Sequence, residues 1–388
     1  MKLKKLVGRI HLWLGLATGL VIIIIALTGA IYCFAPELQN LQQYRTVQVM
    51  NKSVLPPSQI KQIAESELPG KSLQRIYYND RDKAVMALFS KKDLYSYSVF
   101  IDSYSGAVLK VRNNDLDFLS VVLKIHRTLL IPYGHEVIRW STVIFLFMLI
   151  TGLVLWWPKH RRTAKQGFSV RWKASPKRLN YDLHKVLGFY VTWIIIFTVF
   201  TGLLFAFENF ADFTYRLTGA NQSVIQRKPP FSDTTLTANN KTAPVDLVWR
   251  TVEPDLYQKY VALLFVLPAT KNGALLVRAN PAKGTLYKTD FRYFDQYSGK
   301  EITGSYVWGQ YKDANTLADN IKRMNYDIHT GAIFGLPGRI ALFFAALVVA
   351  SLPMTGFYFW WGKQQKKRRS ISRKNKRHQV VYSRKSRL

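Results

Sequence analysis

The sequence predicts an α-helical membrane protein: four transmembrane helices in two pseudo-repeated halves, with two α+β outer domains. Three observations predict this. Four apolar runs, each of roughly 20 residues, are long enough to cross ~30 Å of hydrocarbon at ~1.5 Å per helical residue. Each run carries a Thr-Gly pair and has a histidine at or just before its start: His11, His126, His184 and His329. The order also repeats, since His11-x3-Gly15 is followed by Thr28-Gly29 and His184-x3-Gly188 by Thr201-Gly202, with the same His-to-Thr gap of seventeen residues.

Bulk composition hides this pattern. A mean hydropathy of −0.03 and 20% charged residues look soluble, because the average mixes apolar spans with polar segments. Taken in order, residues 1–10 are a short cytoplasmic N-terminus and 11–34 the first span. The apolar stretch of that span is too long for the core of a cleaved signal peptide. Residues 35–135 are the first outer domain, 136–157 the second span and 158–183 a cytoplasmic loop. Residues 184–207 are the third span, 208–336 the second outer domain, 337–361 the fourth span and 362–388 a basic cytoplasmic tail.

The orientation follows from charge. The net charge of +32 would suit a nucleic-acid ligand, but its distribution does not. Lys and Arg concentrate in 1–10, 158–183 and 362–388, where Asp182 is the lone acidic residue. These are the three segments that an N-in, four-span topology leaves in the cytoplasm, which satisfies the positive-inside rule and puts both termini there. The basic tail is a disordered, lipid-hugging segment or a topology anchor. Trp156, Trp157, Trp360 and Trp361 close spans 2 and 4 beside basic residues, where indoles fix helix ends at the headgroup level. The single Cys33 excludes disulfides within one chain, so the outer domains depend on their own cores.

Both outer domains show strand-like alternation. In the first, a short helix over 57–66 precedes strands within 71–89 and 93–112; in the second, strands fall within 260–268, 274–280 and 284–294. Each sheet ends in the same local signature, Asp102-Ser-Tyr104-Ser105-Gly106 and Asp295-Gln-Tyr297-Ser298-Gly299. Asp, Ser and Gly there supply the side-chain capping and positive φ of a tight turn, and we read the motif as a turn and not as a metal site.

At this point the chain resembles a known family. The opening Gly8-Arg9-Ile10-His11-Leu-Trp-Leu-Gly15, the Thr28-Gly29 pair, the Leu-Lys-Ile-His126-Arg127 segment and the Thr151-Gly152-Leu-Val-Leu-Trp156-Trp157 ending are similar to the PepSY-associated transmembrane family, and the two Asp-x-Tyr-Ser-Gly turns resemble those of PepSY domains. The resemblance runs from about residue 4 to 363. It implies a bacterial inner-membrane protein linked to iron, and its ferric-siderophore reductase branch implies two b-type haems.

The residues themselves point the same way. Ionisable groups at the edge of hydrocarbon usually face the bundle interior and serve function. We infer an inner site between His11 and His184 and an outer one between His126 and His329. Two neutral imidazoles per site suit axial haem ligation; a zinc site would want three or four ligands, often with Cys or carboxylate. Gly15 and Gly188 lie one turn beyond their histidines on the same helix face. Gly29 and Gly202 lie eighteen residues beyond them, five turns or ~27 Å along that face. Gly152 and Gly356 invert the arrangement on spans 2 and 4. Small residues at these places leave room for a flat macrocycle; ordinary close helix packing is the other reading. Arg9, Arg127, Lys185 and Arg339 are placed to meet haem propionates or lipid headgroups. His135 is an alternative to His126, and Met354 an alternative sulfur ligand. His160 and His378 sit among basic residues and read as solvated.

These expectations describe an electron-transfer enzyme. Electrons from a cytoplasmic or quinol donor would pass through the haems to a ferric siderophore at the outer face, an anionic chelate that net-basic outer domains would attract. No GxGxxG or other nucleotide fingerprint is present, so the donor binds elsewhere. The competing readings are a non-enzymatic scaffold that binds a peptide or partner, and a transporter for the chelate, which the lack of mid-span carboxylates disfavours. The partners implied are the ferric siderophore, the unidentified donor and membrane lipid, with no nucleic acid.

Overall fold

The computed structural model describes residues 2–92, 94–158, 166–220, 229–236, 243–302 and 309–385, with side chains between 3 and 365. Its elements are α1 (Lys2–Tyr32), α2 (Ala35–Asn40), α3 (Pro57–Glu67), β1 (Leu73–Tyr78), β2 (Val85–Lys91), β3 (Tyr95–Ile101), β4 (Val108–Asn113), α4 (Phe118–Thr128), α5 (Gly134–Trp156), α6 (Pro176–Ala206), α7 (Glu208–Leu217), α8 (Pro244–Val252), β5 (Ala262–Val266), β6 (Leu275–Asn280), β7 (Asp290–Phe294), α9 (Leu317–His329) and α10 (Gly335–Lys385). They form two compact units. One comprises 1–30, 125–202 and 341–388; the other comprises 31–124 and 203–340.

The helix unit contains the apolar spans. Among the described residues four helical stretches are long and apolar enough to cross a membrane: Leu3–Tyr32, Gly134–Trp156, Pro176–Ala206 and Ala332–Gln365. Their threonines do not break the helices, because each hydroxyl returns its hydrogen to a carbonyl one turn back. Thr28 donates to Ile24, Thr151 to Phe147 and Thr192 to Gly188. Helices α1 and α5 run antiparallel in close register, with Gly8 against Leu155, His11 against Thr151 and Gly15 against Met148. Helices α6 and α10 pair in the same way, with Asn180 bonded to the Thr355 carbonyl, His184 to the Thr355 hydroxyl, and Gly188 against Leu352. Gly19 lies against Pro353, and a Cβ there would come within 3.1 Å of the proline ring carbon, so a small residue on α1 accommodates a proline inside α10. Trp156 departs from its expected place among headgroups. It is buried, stacks on Phe189 of α6 at 3.9 Å, and donates its indole N–H to Gly167. It thereby fixes the end of α5 through packing, whereas Trp157 and Trp361 are exposed.

The sheet unit is α+β. Seven antiparallel strands run in the order β4-β3-β2-β1-β5-β6-β7. Sequence reading treats 35–135 and 208–336 as two outer domains; in the structure their strands join at β1–β5, where Ile76 pairs with Phe265 and Tyr78 with Leu263. The joining has a physical reason. Each half-sheet alone would expose an edge strand with unpaired N–H and C=O groups, and pairing β1 with β5 removes both edges. Ile60 and Ala64 of α3 and Val248 and Val252 of α8 share one core with Ile76, Phe89, Val99, Phe265 and Val277 of the sheet. Asp246 of α8 accepts from the backbone N–H and hydroxyl of Ser58, which clamps the two helices together. The Asp-x-Tyr-Ser-Gly signatures are turns, as the sequence indicates. Asp102 accepts from the N–H groups of Tyr104 and Ser105 with Gly106 at φ +80°, and Asp295 accepts from those of Tyr297 and Ser298 with Gly299 at φ +70°.

Candidate functional site

The helix unit brings His11 of α1 and His184 of α6 together. Their ring centroids are 6.4 Å apart and their planes lie 83° from parallel. Each ring is held from the helix antiparallel to its own. Nδ1 of His11 lies 2.8 Å from the Thr151 hydroxyl, and Nδ1 of His184 lies 2.8 Å from the Thr355 hydroxyl. The direction of these bonds can be deduced. A threonine hydroxyl has one hydrogen, and here it points to a helix carbonyl, from Thr151 to Phe147 and from Thr355 to Leu352 or Ser351. With that hydrogen on the helix carbonyl, the hydroxyl oxygen is free to accept from Nδ1–H. Both imidazoles in their neutral form then carry the lone pair on Nε2, the nitrogen left for a metal.

His126 shows the same device at the other end of α1. Its Nδ1 lies 3.0 Å from the Thr28 hydroxyl and 3.0 Å from the Ile25 carbonyl. A carbonyl only accepts, so Nδ1 carries the hydrogen and Nε2 the lone pair. The glycine after each threonine faces the ring. A Cβ on Gly152 would stand 3.6 Å from Cε1 of His11, one on Gly356 3.4 Å from Cε1 of His184, and one on Gly29 3.3 Å from Cε1 of His126. The contact at Gly152 and Gly356 is an ordinary one, and the one at Gly29 is tight, so Gly29 accommodates an imidazole where its spacing from His11 suggests a macrocycle. Gly15 and Gly188, expected beside their own histidines to leave space for a porphyrin, face Met148 and Leu352 instead. They are close-packing positions between antiparallel helices.

The remaining expected residues fall elsewhere. His329, at the end of α9, belongs to the sheet unit and meets Phe205 edge-on at 5.4 Å. Gly202 follows Thr201, whose hydroxyl donates back to Phe197. His135 is exposed at the start of α5, with Nε2 3.4 Å from a Glu136 carboxylate oxygen. Met354 is 64% exposed. Arg9 and Arg127 are exposed, Lys185 is half-buried, and Arg339 is committed within its own unit to both carboxylate oxygens of Glu37 at 2.6 Å and to the Cys33 carbonyl. His160 and the side chain of His378 lie outside the described residues.

Sequence reasoning missed the threonines. It noted four Thr-Gly pairs and gave a role only to the glycines. The available signal was position: each pair sits at the end of its span opposite to that span's histidine, so an antiparallel neighbour places Thr-Gly against His. Near the inner pair, Asp182 is 1% exposed and lies 2.9 Å from Arg178, so the lone acid of the basic segments is itself neutralised.

Among the described residues no group of three or more His, Cys, Asp or Glu side chains converges to hold a metal. The donor set that the described residues bring together is one pair of imidazoles, His11 and His184, short of the three or four ligands that a bare zinc ion would want. Comparison with curated proteins finds no match. The model of the PepSY-associated TM region family matches residues 9–363, which takes in all four spans and both polar segments. The chain is therefore a multi-pass membrane protein and belongs to the PepSY-associated transmembrane family.

Proposed function

We propose that this protein binds two b-type haems and passes electrons across the bacterial inner membrane to a ferric siderophore at the outer face. One observation supports it above the others: the 6.4 Å between the His11 and His184 ring centroids. At that separation His11 and His184 would together hold one haem, which would serve there as a one-electron carrier. The two rings would hold the group through Nε2, the nitrogen that the threonine contacts leave open. His126 offers a third imidazole in the same state, and His329 is its counterpart in the sequence repeat.

When bound, the haems would supply one-electron carriers near each membrane surface. The chain's own contribution is orientation and exclusion. Thr151 and Thr355 hold the ring planes and tautomers. The apolar spans keep water from the path. The internal repeat, the PepSY character of the two polar segments and the cytoplasmic placement of both termini belong to the same proposal, supported by the duplicated His–Thr contacts and by the basic segments. Reduction of Fe(III) weakens its hold on hard oxygen ligands, so the outcome at the outer face is release of iron.

The test is an absorbance scan of the purified full chain with a pyridine haemochromogen count. A Soret band that shifts on dithionite, with two haems per chain, supports the proposal. A colourless protein after expression with haem precursors overturns it and favours a scaffold that binds a peptide or partner.

A further inference from the structure

The sheet unit contains a cleft that the imidazole pairs do not use. It lies where the β1–β5 seam ends, just past the Tyr78–Leu263 pair, and has a volume of about 330 Å³. That size is at the lower end of small-molecule clefts, roughly 300–1,000 Å³. Both polar segments build it: Arg45, Asn79, Asp80 and Lys83 from the first, Asn280 and Lys283 from the second. Pro36 also lines it, four residues beyond Tyr32, where α1 ends.

The lining is cationic. Arg45, Lys83 and Lys283 face one carboxylate, Asp80, which pairs with Lys283 at 2.9 Å. Lys83 leans on Asp82 at a looser 3.4 Å. Arg45 lies with its guanidinium 4.8 Å over the Phe100 ring in the cleft wall, and Arg112 lies 5.1 Å over the same ring. Two guanidiniums thus share one aromatic side chain. Arg112 has a carboxylate, Asp117, at 3.1 Å, whereas the Nε of Arg45 donates to a neutral amide, Gln42. Burial and the nearby Arg112 charge both push Arg45 below the ordinary guanidinium range. A half-buried cation beside a like charge is stabilised by any anion that fills the space in front of it.

We infer that this cleft binds a small oxygen-rich anion with several carboxylates, such as a metal–polycarboxylate chelate. The carboxylates would meet Arg45, Lys83 and Lys283, and the amides of Asn79 and Asn280 would serve the neutral oxygens. The choice of a metal chelate rests on the proposed reductase reading; the anion site itself does not require haem. A ligand seated here would touch both polar segments and so bridge the joint between them.

The experiment is calorimetric titration of the detergent-purified full chain with gallium(III) citrate, a redox-inert stand-in for a ferric polycarboxylate. Saturable binding is expected. The Lys83→Glu, Lys283→Glu double variant should weaken it at least tenfold, and the Lys83→Gln, Lys283→Gln pair by less. Lys61→Glu, on the exposed side of α3, should leave it unchanged. Absence of saturable binding in the wild type, a double reversal that binds within twofold of it, or an equal loss in Lys61→Glu overturns the inference. So does binding of short-chain phosphatidylglycerol with none of gallium citrate, which would make the cleft a lipid-headgroup site. Haem content separates the two proposals. A haem-free protein that binds gallium citrate sinks the reductase reading and keeps the cleft; a di-haem protein that ignores it does the reverse.

Discussion

Thr355 accepts a 2.8 Å hydrogen bond from Nδ1 of His184, and its own hydrogen is spent on the α10 backbone. The contact fixes which ring nitrogen carries the lone pair. Outer partners of this kind typically contribute 10–100-fold in metal affinity. Thr355→Val keeps the shape and removes the acceptor. Haem titration of that variant should show a loss in that range, together with a shifted midpoint potential by spectroelectrochemistry, and Thr355→Ser should restore both. A valine variant equal to wild type in affinity and potential would show the hydroxyl to be packing only.

The same logic separates the sites. His11→Ala and His184→Ala each remove one ligand of the inner pair, so either variant should retain one haem of two in the pyridine haemochromogen assay. His126→Ala should lose the other. Two haems with unchanged spectra in the His11 or His184 variant would contradict the pairing.

The spans were legible because membrane solvation imposes a length and a composition that few other structures need. The pairing of His11 with His184 was legible because duplication repeats the offset. The roles of Gly15, Gly188 and Gly29 were not, since helical periodicity gives the face a residue shares and not the neighbour that face meets. That neighbour is chosen by antiparallel register, which sets Met148 against Gly15 and His126 against Gly29. Arg339 was misplaced for a similar reason. One residue's charge fits a propionate as well as a carboxylate, and Glu37, three hundred residues earlier, is far in sequence and close in space. The single sheet was hidden because strand signals do not name partners across a long insertion.

Glycine substitutions should be graded by what the new Cβ meets. At Gly134, where α5 begins, it would fall 1.7 Å from the Thr128 carbonyl oxygen, which is backbone and cannot swing aside. Gly134→Ala should cost on the order of 2–4 kcal/mol and lower the thermal midpoint in detergent. Gly152→Ala meets Cε1 of His11 at an ordinary 3.6 Å and should leave the midpoint near wild type. Equal midpoints for the two alanine variants would contradict this ranking.

Acid sensitivity should include a contribution from Glu37. The Arg339 guanidinium, bonded to both its oxygens, holds its carboxyl below the usual carboxylate range. A carboxyl whose folded-state pKa lies below its unfolded value binds fewer protons when folded, so its stabilisation is present at neutral pH and is lost as pH falls through about 4 and below. Glu37 is part-exposed, so solvent screening limits the effect to about 1 kcal/mol or less. Thermal midpoints of wild type and Glu37→Gln should therefore differ at pH 7, with wild type higher, and converge as the pH falls below the usual carboxylate range. A gap that persists unchanged at low pH would mean that the pair acts through geometry alone, because the glutamine cannot titrate and the glutamate by then has.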